Sequence, residues 1–212
     1  MKKQMIMAAA IVIGLALISG CGDSGSGQVK TGFLSDYSKL EAASDSSYRY
    51  LNKSQLGNYK AFIVEPVSVY FKAGAKAIEA KSEGKMTEQD IKDLANYLHS
   101  AILTAINNSG RTIAYRPGPG IARLRVAITD IEETNVVLAA VPQSRMLTGA
   151  GVGGASMEAE VVDSVTGRQV GAVVEQQAGS RVPFTGLSDW GGAKSAMDEW
   201  AKRLQQRLNE SR

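Results

Sequence analysis

The only cysteine of the chain, Cys21, closes a short apolar run, so everything beyond it lacks a thiol. Whatever folds after residue 21 has neither disulfide nor cysteine ligand to hold it and must close on an apolar core. The run itself, Met5 to Ile18, follows Lys2 and Lys3 and ends in the small residues Ser19 and Gly20. A basic head, an apolar middle and a small-residue end make an export signal, with cleavage expected just before Cys21. A spanning helix needs roughly 20 apolar residues, and this run is shorter, so a permanent transmembrane helix is the weaker reading.

The residues leading to the cysteine, Leu17-Ile18-Ser19-Gly20-Cys21, resemble a bacterial lipobox. That resemblance implies that Cys21 is acylated and becomes the first residue of the mature protein, with the lipid bilayer as its partner. Two or more acyl chains on one residue give stable anchoring. Gly22, rather than an aspartate, follows the cysteine, which by resemblance to enterobacterial sorting implies the outer membrane and a periplasm-facing domain. Gly22 to Gly32 is rich in glycine and serine and reads as a tether. The expected organisation is a lipoprotein signal peptide at 1–20, a lipidated cysteine and flexible tether at 21–32, and a single domain at 33–212.

The formal charge of +3 includes Lys2 and Lys3, so 22 basic side chains face 21 acidic ones after cleavage. Lysine and arginine are interspersed with acids throughout, which argues against a nucleic-acid partner.

Periodicity supplies the elements. Thr87 opens the clearest helix, with Ile91, Leu94, Leu98, Ile102 and Ile106 on one stripe. A second stripe runs from Ala193 through Trp200 to Leu208. Residues 59–71 read as a strand kinked at Pro66, which has no N–H for a ladder. Residues 121–131 alternate, with Leu124, Val126 and Ile128 opposite Arg123, Arg125 and Thr129, so one face is expected buried and the other wet. Strands at 156–162 and 168–174 flank Ser164-Val165-Thr166-Gly167 and read as an antiparallel hairpin. If 121–131 and 156–163 are neighbours, Arg123 and Arg125 face Glu158 and Glu160 in ordinary cross-strand pairs. Residues 45–58 read as a loop, 72–86 as a mobile connection, and Val136 to Val141 as either a strand or an exposed sticky loop. The fold class expected is α/β, α+β-like: a mixed or mostly antiparallel sheet of four to six strands with two amphipathic helices on one face.

Chemistry is sparse. His99 is the only histidine and has no cysteine or second histidine to join it. No Gly-x-Ser-x-Gly elbow exists, and Gly149 to Gly154 lacks the lysine and hydroxyl of a phosphate loop. Asp130, Glu132 and Glu133 cluster at a strand end, where carboxylates ordinarily face solvent. No catalytic residue, metal or cofactor is expected. Phe33, Leu34, Tyr37, Tyr115 and Trp190 are the candidates for a partner or ligand surface, although a turn of 33–40 packed on the domain is the plainer reading of the first three.

The chain resembles a family of bacterial lipoproteins known as domain of unknown function 3313. The pieces that carry the likeness are Gly32-Phe33-Leu34-Ser35-Asp36-Tyr37-Ser38, Glu65-Pro66-Val67, Gly118-Pro119-Gly120, Ala127-Ile128-Thr129-Asp130 and Asp163-Ser164-Val165-Thr166-Gly167. Glu65-Pro66 stands where the family pattern more often has Asp-Pro. The resemblance implies an exported, lipid-anchored single domain and assigns no reaction. The leading expectation is a non-enzymatic module that organises the envelope by binding another envelope protein or a glycan. The alternative is a periplasmic small-ligand or glycan binder with a groove near Tyr37, Tyr115 and Trp190. A cell-wall hydrolase or transferase using His99 is the third.

Overall fold

Three strands in the second half of the chain form the centre of the molecule. The computed structural model describes residues 30–182 and 186–211, so the expected signal peptide, Cys21 and most of the tether lie outside the described residues. Strand β6 (Ile121–Glu132) pairs antiparallel with β7 (Gly154–Asp163), which pairs antiparallel with β8 (Gln169–Ala178). The β7–β8 turn is held by the Asp163 carboxylate, which accepts from the backbone N–H of Val165 at 3.1 Å and of Thr166 at 2.8 Å. Gly167 takes the left-handed conformation there, at φ 71°.

The sheet extends on both sides. A hairpin of β1 (Glu41–Ser44) and β2 (Ser47–Leu51) joins the free edge of β8. Across β6 lie β3 (Ala61–Val64), β4 (Ser68–Val69) and β5 (Thr112–Ile113): β3 and β4 run parallel to β6, and β5 runs parallel to β3. Pro66 falls in the gap that divides β3 from β4, as the missing N–H requires. The strand order is β1-β2-β8-β7-β6-β3-β5, with β4 also on β6.

Six helices accompany this sheet among the described residues: α1 (Lys53–Gly57), α2 (Lys76–Ser82), α3 (Glu88–Asn108), α4 (Val136–Ala139), α5 (Pro142–Thr148) and α6 (Gly191–Glu210). The expectation of four to six strands and two helices is therefore corrected to an eight-stranded mixed sheet and six helices. The physical reason lies in how the added elements are held. All four β1 residues are exposed and lack apolar alternation, so only pairing with β2 makes that segment a strand. Three of the short helices start at local signals, Asn52 accepting from Gln55 N–H, Asn135 accepting from Leu138 N–H and Pro142 opening α5, while α2 is held by buried Ala77 and Ala80 and by Ala77 N–H on Asp130. Residues 45–58 thus hold β2 and α1, residues 72–86 hold α2, and Val136 to Val141 is helical for its first four residues.

The two long helices lie side by side on one face. Thr87 caps α3 in a reciprocal box with Asp90. Leu94, Leu98, Ile102 and Ile106 of α3 join Ala196, Met197, Trp200 and Leu208 of α6, packed on Leu124, Val126, Met157 and Ala159 of the sheet. Each fully buried aliphatic side chain there contributes about 1.5–3 kcal/mol. Buried Arg111 ties the far end of α6 down by donating to the carbonyls of Tyr59 and Leu208 and to the Ser211 hydroxyl.

The start of α6 is seated by the absence of a side chain. Gly192 donates its N–H to Thr134 Oγ1 at 2.9 Å, and a Cβ at residue 192 would collide with the Val152 carbonyl oxygen. Gly192→Ala is expected to destabilise the protein by about 1–3 kcal/mol, the usual cost of overpacking against rigid backbone. In urea unfolding, Gly118→Ala serves as the control and should leave the midpoint nearly unchanged, since its Cβ would meet only the end of the Ile121 side chain at 3.4 Å.

Candidate functional site

Two places bring polar groups together, one on each face of the sheet. On the face away from α3 and α6, residues 30–40 cross β6, β7 and β8 as a strap. Phe33 and Leu34 are buried against Ala127, Ala172 and Val174. Beneath the strap lie two carboxylates from β7, Glu158 at 0% exposure and Glu160 at 1%. Glu160 accepts from Ser35 N–H at 2.9 Å, Ser35 Oγ at 2.7 Å and Gln169 Nε2 at 2.9 Å, and it is ion-paired with Arg125. Glu158 accepts from Thr31 N–H at 2.8 Å and from the Tyr37 hydroxyl. Two donors on Glu158 and four on Glu160, Arg125 included, offset the cost of taking the charge out of water.

The expected wet face is therefore corrected: it is covered at its centre, because the strap brings apolar side chains and hydrogen-bond donors together. Arg125 stands opposite Glu160 and pairs with it, as cross-strand reading expects. Glu158 stands opposite Ala127 instead of an arginine, and Arg123 turns to Glu65 at 2.8 Å.

The second place is a cavity of ≈ 290 Å³ between the sheet and the long helices. Leu51, Leu98, Ile102, Val126, Met157 and Trp200 line its interior. Its opening lies where β2 approaches α6, and there Arg49, Arg203, Arg207 and Glu175 gather. Arg203 donates to Glu175 at 2.6 Å and to Gln177 at 3.2 Å. Burial pushes the Glu175 carboxyl up, against the pull of Arg203, the Trp200 indole N–H, Arg207 and Arg49. Burial and the neighbouring Arg49 both lower the pKa of Arg207. A second hollow of ≈ 410 Å³ beside Lys72 and Asp130 is polar, and Asp130 is already engaged by Lys72 and by the N–H groups of Ala77 and Ile131.

The candidate residues named from sequence do not meet. Tyr37 lies beneath the strap, Trp190 packs on the opposite, helix-bearing face, and Tyr115 stands 90% exposed beyond β5. No shared aromatic groove results. Cys21 lies outside the described residues. The buried Nδ1 of His99 has no hydrogen-bond partner, and no group of three or more metal-ligating side chains forms among the described residues. No helix among them is long and apolar enough to cross a membrane.

Sequence reasoning missed the mouth of the cavity. Arg203 and Arg207 are four apart on α6 and so share a face, a signal that was present. Arg49 sits in a segment read as a loop, and only the β2–β8 pairing carries it to them.

The strap has a pH signature. Burial and the adjacent Glu158 raise the pKa of Tyr37 above its ordinary 10.0. Its neutral form is favoured in the fold, so the stability it contributes is complete below pH 10 and is lost as pH rises through the folded value. Tyr37→Phe removes one of two donors to a fully buried carboxylate and is expected to cost about 1–3 kcal/mol at neutral pH. Proteolysis within 30–40 should quicken, and the variant's urea midpoint should fall less steeply than the wild type's above pH 10. The shared decline from Tyr59 and Tyr97, which are raised in the same direction, should remain.

No curated protein matches the sequence. Among solved structures, the chain is similar to the PelC dodecamer from Paraburkholderia phytofirmans in two crystal forms. A point-substituted form is 13% identical, covers 76% of this chain and 96% of that one, and has a TM-score of 0.45. A second form is 13% identical, with 73% and 94% coverage and a TM-score of 0.40. Likenesses that distant support no conclusion about what this chain binds. The family model is another matter: that of Protein of unknown function (DUF3313) matches residues 29–204, which takes in the strap, the sheet and most of α6, and the chain belongs to that family.

Proposed function

We propose that this chain is a non-enzymatic binding module of the bacterial envelope, exported by residues 1–20, held at the outer membrane by lipid on Cys21, and carrying a small ligand in the cavity between its sheet and its long helices. The cavity carries the reading. Its ≈ 290 Å³ lies near the lower end of the range of small-molecule sites, and its apolar walls with a few polar groups at one opening have the usual form of such a site. The N-terminal signal supports the location, and the tether at 21–32 leaves the domain free to stand off the bilayer. Among the described residues, Lys30 over the Tyr37 ring and Thr31 on Glu158 make contacts slightly ahead of the expected boundary at 33.

A test uses the mature chain with Cys21→Ser, which folds without acylation under this reading. An environment-sensitive apolar dye such as N-phenyl-1-naphthylamine should bind saturably at one site per chain. Val126→Phe, which fills the cavity from β6, should abolish that binding while circular dichroism stays unchanged. Dye binding that is absent from the wild type, or unaltered in the folded variant, overturns the reading. In cells, Cys21→Ser should move the protein out of the membrane fraction, and mass measurement of the wild-type N-terminus should show acylation. An unmodified Cys21 in the mature wild type overturns the anchor.

A second reading rests on α4 and α5. Val137 and Leu147 are each 79% exposed, and Met146 is exposed beside them. We propose this patch as a contact for another envelope protein, consistent with an organising role. Val137→Lys with Leu147→Lys should leave the fold intact and remove specific crosslinks seen with the wild type in membranes. Crosslinks that persist unchanged overturn it.

A further inference from the structure

We infer that the ligand of the cavity is an anionic amphiphile, with a carboxylate or phosphate head held by Arg49, Arg203 and Arg207 and a single hydrocarbon tail in the apolar interior. The inference rests on the cavity being a binding site, as proposed above, and it adds the class of ligand.

The charge at the mouth is unbalanced. Three guanidinium groups and one carboxylate line the opening, and Arg203 is the one arginine there with an ion pair, to Glu175. Neither Arg49 nor Arg207 forms an ion pair among the described residues. The excess is local, because acids and bases elsewhere in the chain are nearly equal in number. Two elements supply it: Arg49 comes from β2, while Arg203 and Arg207 lie one turn apart on α6. The pairing of β2 with β8 and the packing of α6 on the sheet force these like charges together. Like charges at close range repel, and the repulsion is felt most where burial limits screening by water. A bound anion relieves it; burial first, and then Arg49 and Arg203, lower the pKa of Arg207 against the pull of Glu210 and Glu175.

The form of the groups selects the head. A guanidinium presents a planar fork of N–H donors that matches a carboxylate or phosphate two bonds at a time, and it holds its charge at any physiological pH. The walls select the tail. Leu51, Leu98, Ile102, Val126 and Met157 offer a chain no polar side-chain partner, and the one indole N–H in the wall, that of Trp200, acts on Glu175 at the mouth, so the interior favours hydrocarbon. At roughly 30 Å³ per chain carbon, the volume of a water, ≈ 290 Å³ holds about eight to ten carbons. The cavity thus takes one short chain, or the end of a longer one whose head stays at the mouth.

Isothermal titration of the mature Cys21→Ser chain, delipidated under denaturing conditions and refolded, tests the class with four ten-carbon probes: decanoate, decyl phosphate, decanol and decyltrimethylammonium. Decanoate or decyl phosphate should bind at least about tenfold more tightly than decanol, with the cation weakest, and the stronger of the two anions identifies the head. Within the favoured series, affinity should rise about fourfold per added methylene until the cavity is full. Arg49→Gln and Arg207→Gln should each weaken the anion about tenfold and leave decanol within about twofold, a split that loss of folding would not produce. Decanol binding as tightly as the anions overturns the anionic head while the cavity remains a binding site. Failure of all four probes to bind overturns both. Anion binding that Val126→Phe leaves intact places the anion outside the cavity and overturns the inference.

Discussion

Everything in this domain depends on β7 being buried on both faces. Nine of its ten residues are shielded from solvent, which for a strand in an antiparallel setting requires two covers. The long helices supply one through Met157, Ala159 and Val161. The strap supplies the other, and it must do more than exclude water, because the side chains it covers include Glu158 and Glu160. These carboxylates make the strap specific. An apolar face would accept many coverings, whereas two desolvated acids accept only one that brings donors to the right places. Ser35, Tyr37 and the backbone of Thr31 are those donors, which gives a physical role to the Gly32 to Ser38 segment.

The strap also ties the N-terminal end of the described residues to the sheet. Among the described residues Lys30 lies over the Tyr37 ring and Thr31 donates to Glu158, and from there the strap runs onto the middle of the sheet. Anything that pulls on the preceding residues acts on the hydrogen bonds to Glu158 before it acts on the core. The strap thus lies on the covered face, while the cavity opens between the opposite face and the helices.

The cavity owes its existence to the edge hairpin. β1 and β2 are short and, as a lone hairpin, would not stand alone, but by pairing with β8 they extend the sheet beneath α6. That extension brings Leu51 to the wall and Arg49 to the mouth. The helices, in turn, are spaced by side chains as large as Trp200 and do not close completely on the sheet. A hollow that is apolar within and cationic at the rim follows from three elements whose sequences carry no shared signal.

Much of the framework was legible before any coordinates. The period of Ile91, Leu94, Leu98 and Ile102, the cap at Thr87, the hairpin around Gly167 and the break at Pro66 are all local, because each is decided by residues a few positions apart whose geometry is set by the helix or strand period. The sequence by itself also determined that no disulfide could hold the domain beyond Cys21, and that Arg125 and Glu160 could meet across a strand pair. Tertiary structure alone decided the extra strands, the covering of Glu158 and Glu160, and the meeting of Arg49 with Arg207. An exposed edge strand becomes a strand through its neighbour's hydrogen bonds, and a buried carboxylate is tolerated through donors more than a hundred residues away. Charges on separate elements form a site only when sheet register and helix packing place them together, and neither is written in any local period.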